Sequence, residues 1–176
     1  AEAIAGLNEI LTEAINTARD VTQDSAPLIA LKREVTEGFQ WIVRDAKKRH
    51  QLDVESHVQI GTALNAAPEA IPVLLFTSAR ELLLNVVKHA ETTRATLQLL
   101  RDETSVVLEV SDEGCGFDPS AVGNRQDHGF GLMSIRERVE LLGGQFELDA
   151  SPGAGVRVRV TVPLPEVSLP ELVDRP

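Results

Sequence analysis

The decapeptide E-L-L-L-N-V-V-K-H-A at 81–90 narrows the possible folds more than any other stretch of the chain. At about 3.6 residues per turn, Glu81, Asn85, Lys88 and His89 fall on one stripe of a helix. Leu82, Val86 and Ala90 continue an apolar face begun by Leu75 and Ala79, so one side is made for burial and the other presents an acid, an amide and two basic groups. Two later motifs add to this. D-E-G-C-G-F-D at 112–118 sets a carboxylate on a glycine-rich turn, and G-F-G-L at 129–132 puts glycines at the opening of another helix. Carboxamide, cation, carboxylate and exposed backbone N–H groups together suit a magnesium nucleotide.

The periodicities along the chain predict the scaffold for these groups. Apolar residues at steps of three and four from Ile4 to Val21 predict a long amphipathic helix over 3–22, ended in the region of Pro27. A helix is expected over 33–49, with Val35, Phe39, Ile42 and Ala46 inward, and another over 70–90. Alternation predicts a half-buried strand at 52–60 with His57 toward solvent, then a hairpin of strands at 94–101 and 104–111 joined by R-D-E-T. A loop over 118–128 leads to a helix at 131–142 stopped by Gly143 and Gly144, and strands at 145–150 and 155–162 meet across S-P-G-A-G. This order predicts an α+β fold: a two-layer α/β sandwich with an open mixed sheet under helices and an N-terminal helical appendage.

Charge and composition exclude several classes of function. A formal net charge of -10 disfavours nonspecific binding to nucleic acid or to an anionic membrane. The K-K-R run at 47–49 therefore reads as a solvated helix end, where cations suit the dipole. The aromatic share is 3%, so the core must be aliphatic. The single cysteine, Cys115, excludes an intrachain disulfide, fits a reducing and cytoplasmic setting, and reads as a small filler between glycines. No uninterrupted apolar run reaches the roughly 18 residues of a membrane span.

Each candidate group has a chemical role and a plainer alternative. Magnesium prefers oxygen ligands and keeps several waters, so the Asn85 amide oxygen with phosphate oxygens makes a reasonable shell. Glu81 would orient a metal-bound water, Lys88 would neutralise a phosphate, and His89 would donate to one. The plainer alternative is an exposed helix face carrying ordinary polar residues. Asp112, placed at a sheet edge beside Gly114 and Gly116, would accept from an exocyclic amine and so favour adenine over guanine; a conformational Asp-Gly turn is the alternative. Gly129 and Gly131 open a helix whose first N–H groups suit phosphate, and His128 just before them would reach the terminal phosphates or simply face water. A dinucleotide fingerprint fails, because Ser134 stands where its third glycine belongs.

Together these residues resemble the ATP-binding domain of sensor histidine kinases. Glu81, Asn85, Lys88, His89 and Ala90 match its N box, Asp112, Gly114 and Gly116 its G1 box, and Gly129, Gly131 and Leu132 its G2 box. The stretch G-L-M-S-I-R-E-R-V-E-L-L-G-G-Q-F at 131–146 is similar to the short-lid subfamily of nitrate and membrane-fluidity sensors. The resemblance implies a Bergerat-type fold, ATP with Mg2+, Glu81 and Lys88 as catalytic groups, Asn85 as metal ligand, and Asp112 as reader of adenine. It also implies phosphoryl transfer to a histidine on a preceding helix, a homodimer in the parent, and relay to a response regulator.

On this reading residues 1–26 form part of the second helix of a dimerisation and phosphotransfer domain. Residues 27–163 form the ATP-binding domain and 164–176 a Pro-rich tail. No acid-flanked histidine motif precedes residue 33, so the chain reads as a piece of a longer kinase. None of His50, His57, His89 and His128 lies on the first helix. Val156 stands where the family usually has threonine. A serine kinase or ATPase of the same superfamily, and a nucleotide-gated scaffold without catalysis, are the competing functions.

Overall fold

The structure, a computed structural model, describes residues 34–61, 64–119 and 130–165. The expected helix at 3–22, the loop residues His128 and Gly129 and most of the Pro-rich tail lie outside them. Within them the chain runs α1 (Val35–His50), β1 (Asp53–Gln59), α2 (Ala70–His89), β2 (Arg94–Arg101), β3 (Ser105–Asp112), α3 (Phe130–Leu141), β4 (Gln145–Ala150) and β5 (Val156–Pro163). Helix and strand type agree with the periodicities at each of these places, with ends displaced by a residue or two.

The five strands form one sheet in the order β1-β2-β3-β5-β4. β1 and β2 are parallel and the other neighbours antiparallel, which makes the sheet mixed. Parallel neighbours need a long crossover, and α2 supplies it. β2 and β3 close as a hairpin, where the Asp102 N–H donates to the Ser105 carbonyl at 2.9 Å and the Asp102 carboxylate accepts the Glu103 N–H at 2.8 Å.

Strict alternation decides which face is covered. Ala95, Leu97 and Leu99 on β2, Val106, Leu108 and Val110 on β3, and Val158, Val160 and Val162 on β5 are all buried under the helices. The opposite face is polar. There Glu109 lies opposite Arg159 in register, and the Arg159 Nε–H donates to its Oε2 at 3.1 Å. The result is the two-layer α+β sandwich.

α1 contributes Val35, Phe39, Ile42 and Ala46 to the core, the four positions expected from its period. Phe39 meets Phe76 of α2 edge to face, with centroids 6.1 Å apart and planes at 85°. Truncating either ring to alanine would cost about 3–5 kcal/mol, since both are fully buried. The basic end of α1 is exposed, with Lys47 paired to Asp53 and Arg49 to Asp45 at 2.7 Å, as a solvated helix end should be.

α2 is long and apolar enough to span a membrane by composition alone. Its length is explained within this fold: Leu74, Leu75, Ala79, Leu82, Leu83 and Val86 are buried in the core. Pro72 sits in the first turn, where a missing N–H costs nothing. The helix therefore reaches its C-terminal half, which carries the polar groups, with its axis already held by the sheet.

Candidate nucleotide site

The polar half of α2 opens on a cavity of about 300 Å³ between that helix, the sheet and the start of α3. Leu82, Val86 and Ala90 of α2 wall one side, Val110, Val156 and Val158 of the sheet another, and Phe117 and Leu132 the remainder. Three polar side chains, Asn85, His89 and Asp112, reach this apolar space. A mostly apolar cleft with few placed polar groups is the usual form of a small-molecule site.

The four polar residues of α2 do not converge as their shared stripe implies. At about 100° per residue, Lys88 and Glu81 lie on one flank of the stripe and Asn85 and His89 on the flank nearer Leu82 and Val86. The cavity is on the Leu82 side, so Asn85 and His89 line it. Glu81 instead turns toward the first turn of α3, and Lys88 is exposed outside the lining.

Asp112 is the last residue of β3, the central strand, so its carboxylate stands at the edge of the sheet where that strand ends. Its Oδ1 accepts the Gly114 N–H at 2.8 Å. Burial pushes its carboxyl above the ordinary aspartate value, while the N–H groups of Gly114 and Val156 pull the other way. A carboxylate held this way keeps acceptor capacity for a ligand amine in a poorly solvated place.

The turn after Asp112 is wedged between two pieces of backbone. A Cβ at Gly114 would collide with the Ala90 carbonyl at the end of α2. That carbonyl instead accepts the Cys115 N–H at 2.8 Å, and the Cys115 thiol donates to the His89 carbonyl at 3.0 Å. Terminal helix carbonyls need partners, and this turn provides them. Cys115 is thus an exposed donor and not a filler.

On the other side, Gly116 has φ 58 and Gly155 φ 75, both left-handed. A Cβ on Gly116 would strike the Ser151 carbonyl, and one on Gly155 the carbonyl of Asp112 itself. The Gly153 N–H donates to the Cys115 carbonyl at 2.6 Å. The β4–β5 turn, which local pattern marks only as a turn, therefore holds the Asp112 loop in place.

Gly131 lies against Glu81 and Leu132 lines the cavity. Local pattern singles out neither Phe117, which lines the cavity, nor the β4–β5 turn, which braces the Asp112 loop. The phenylalanine after the second glycine was the available signal for one; the glycines of S-P-G-A-G were the signal for the other.

A purine-sized cleft at the strand ends of an α+β sandwich, with one acceptor carboxylate and a glycine-opened helix beside it, defines a nucleotide-binding domain. The chain belongs to the histidine kinase-, DNA gyrase B- and HSP90-like ATPase family, whose model matches residues 70–166. ATP is accordingly its ligand.

Among similar proteins, the signal transduction histidine-protein kinase/phosphatase DegS of Bacillus subtilis is 35% identical over 92 residues, which is 52% of this chain and 24% of DegS. The sensor protein VraS of Staphylococcus saprophyticus is 29% identical over 137 residues, 77% of this chain and 38% of VraS. The chain thus spans well under half the length of either. The blue-light activated histidine kinase of Erythrobacter litoralis EL346 shares the fold, with TM-score 0.55 and 21% identity over 73% of this chain and 41% of that one. The histidine kinase domain of the same protein aligns with TM-score 0.52 and 19% identity over 76% of this chain and 61% of that domain.

Proposed function

We propose that this chain is the ATP-binding catalytic domain of a two-component sensor histidine kinase. It positions Mg-ATP for phosphoryl transfer to a histidine on a helix elsewhere in the parent, for relay to an aspartate of a response regulator. The observation that carries the reading is Asp112: a carboxylate at the end of the central strand, facing an apolar cavity and locked there by two turns. Similarity to sensor kinases over 77% of the chain supports the phosphotransfer half.

In this reading Asp112 accepts a hydrogen bond from the exocyclic amine of adenine, which guanine cannot give at its O6 edge. Val110, Val156 and Leu132 exclude water from the base. Gly114 and Gly116 let the backbone approach it. Asn85 and His89, farther along the cavity, face the phosphates, with Lys88 adding positive charge from outside and Gly131 at the phosphate end; Gly129 and His128, outside the described residues, keep the phosphate role that the resemblance implies.

Among the described residues no group of three or more His, Cys, Asp or Glu gathers to hold a metal. That fits an ion which keeps waters and phosphate oxygens as its main ligands, with Asn85 giving one amide oxygen and Glu81 orienting a water. Magnesium would supply charge neutralisation along the phosphates. The protein's own part is orientation, which in phosphoryl transfer is most of the catalysis. The parent is a homodimer in this reading, with the domain in the cytoplasm.

Calorimetry with ATP, with and without magnesium, tests the binding half. Asn85→Ala should remove most of the magnesium-dependent component. ATP affinity and magnesium response both unchanged in that variant would sink the metal role of Asn85. Incubation with γ-labelled ATP tests the transfer half: no acid-labile label is expected on this chain alone, and label is expected on an added acceptor segment from the parent.

A further inference from the structure

We infer that Gly131 is a positioning residue, whose missing side chain makes the seat that holds the Glu81 carboxylate against the first turn of α3. What the seated carboxylate does rests on the Mg-ATP reading above. A Cβ placed on Gly131 would lie 2.5 Å from Glu81 Oε1, 3.4 Å from its carboxyl carbon and 3.6 Å from its Cγ, the three nearest atoms outside its own stretch of helix. The contrast with the other site glycines is informative. At Gly114, Gly116 and Gly155 the obstacle includes a backbone carbonyl, whereas at Gly131 all three atoms belong to one side chain from another helix.

Nor does backbone conformation demand glycine here, since residue 131 is the second residue of α3 and has no left-handed φ. Even in this first turn glycine loses more backbone freedom than alanine would, so its presence invites another reason. The carboxylate supplies one. Glu81 is anchored on α2 one turn before Asn85, and a methyl at 131 would evict its oxygen from the gap between α2 and α3. Because the obstacle is the free end of a flexible side chain, the fold would accommodate the methyl by letting the carboxylate swing away. The loss then falls on the magnesium-dependent part of ATP binding and not on folding.

The test compares ATP affinity with magnesium and with a chelator in four proteins: the unaltered chain, Gly131→Ala, Glu81→Ala and the double variant. Gly131→Ala is expected to lower the magnesium enhancement about fivefold or more while metal-free affinity stays within about twofold. In the Glu81→Ala background the same methyl should change the enhancement by less than about twofold. Combining Gly131→Ala with Glu81→Asp, whose shorter side chain leaves room for the methyl, should restore part of the enhancement. An unchanged enhancement in Gly131→Ala, or an equal loss in both backgrounds, overturns the inference and returns Gly131 to a direct phosphate contact.

Failure of the unaltered chain to bind ATP would instead sink the parent reading. Thermal unfolding without ligand then decides the seat alone. Gly131→Ala should leave the chain more stable in the Glu81→Ala background than beside Glu81, relative to each parent, and an equal change in both would overturn it.

Discussion

At the Asp112 end of the cavity, backbone meets backbone: the turn 112–116, the end of α2 and the β4–β5 turn are in van der Waals contact wherever a glycine omits its Cβ. Beyond the cavity's other end, outside the lining, the Glu81 side chain reaches between two helices across space that a rotamer change can empty. The first end cannot yield without moving main chain, so it holds one shape and suits a rigid, flat ligand. The second adjusts, as suits phosphates whose charge and metal change during a reaction cycle. Substitutions should therefore register in different observables: stability and base selectivity at one end, metal and salt response at the other.

The largest expected effect breaks the rigid end. Gly155→Ala should cost about 3 kcal/mol or more, because a left-handed φ and a collision with the Asp112 carbonyl act together. For a domain of this size that is a fall in melting temperature of about 6–12 °C. Gly153→Ala is the control: its φ is 78 but no atom lies within 4 Å of the added Cβ. It should cost only about 1 kcal/mol. Equal losses at the two positions would show that the interlock is not what stiffens this end.

Next in size is base selectivity. Asp112→Asn keeps an oxygen for the neighbouring N–H groups but turns a pure acceptor into one that also donates. The preference for ATP over GTP should shrink by about 1–3 kcal/mol in competition titrations. Equal binding of both nucleotides by the unaltered chain would remove the basis for this.

The same residue sets a pH dependence whose sign can be worked out. Burial raises the Asp112 carboxyl above its ordinary value, so the folded chain binds that proton more tightly than the unfolded chain does. Its contribution to stability is greatest below the ordinary aspartate value, falls as pH rises through the raised value, and stays low beyond. Adenine affinity runs the opposite way, because the ionised form is the acceptor. Unfolding curves and ATP titrations across the acid range should show the two trends crossing, and Asp112→Asn should flatten both.

The smallest effect belongs to the adaptable end. Lys88 is exposed and outside the cavity lining, so its charge acts through solvent. Lys88→Ala should weaken Mg-ATP binding by at most about 1 kcal/mol, and the difference should fade in high salt. A larger, salt-independent loss would mean that Lys88 touches the phosphates directly, which would make the second end as fixed as the first.

Local pattern made most of the scaffold legible because its signals are local. Period-2 alternation in A-T-L-Q-L and V-V-L-E-V marks one face for burial, and the buried residues follow it position by position. Asn85, His89, Asp112, Gly116 and Leu132, drawn from three separate motifs, share one cavity. What stayed hidden depends on residues distant in the chain. Gly155 meeting the Asp112 carbonyl, and Gly131 meeting Glu81, are contacts across 43 and 50 positions that no window of sequence contains. The split of the α2 stripe was hidden for a different reason. A helical wheel ranks residues by angle but cannot say on which side of the stripe the cavity will open.

α2 also sets a problem for the chain while it is being made. It leaves the ribosome as twenty residues, apolar enough to pass for a membrane span, before any of β2, β3 or β5 exists to cover it. β5, which lies between β3 and β4 and buries three valines under the helices, is the last strand of this sheet to be synthesised. Until β2 follows, the described part of the nascent chain has only α1 and β1 beside this aliphatic helix, and the covered face stays incomplete until Val158, Val160 and Val162 arrive. Such intermediates collapse onto one another readily. Slow translation through β2–β5, or truncation before residue 156, should therefore direct this protein toward chaperones and inclusion bodies, however stable the finished domain.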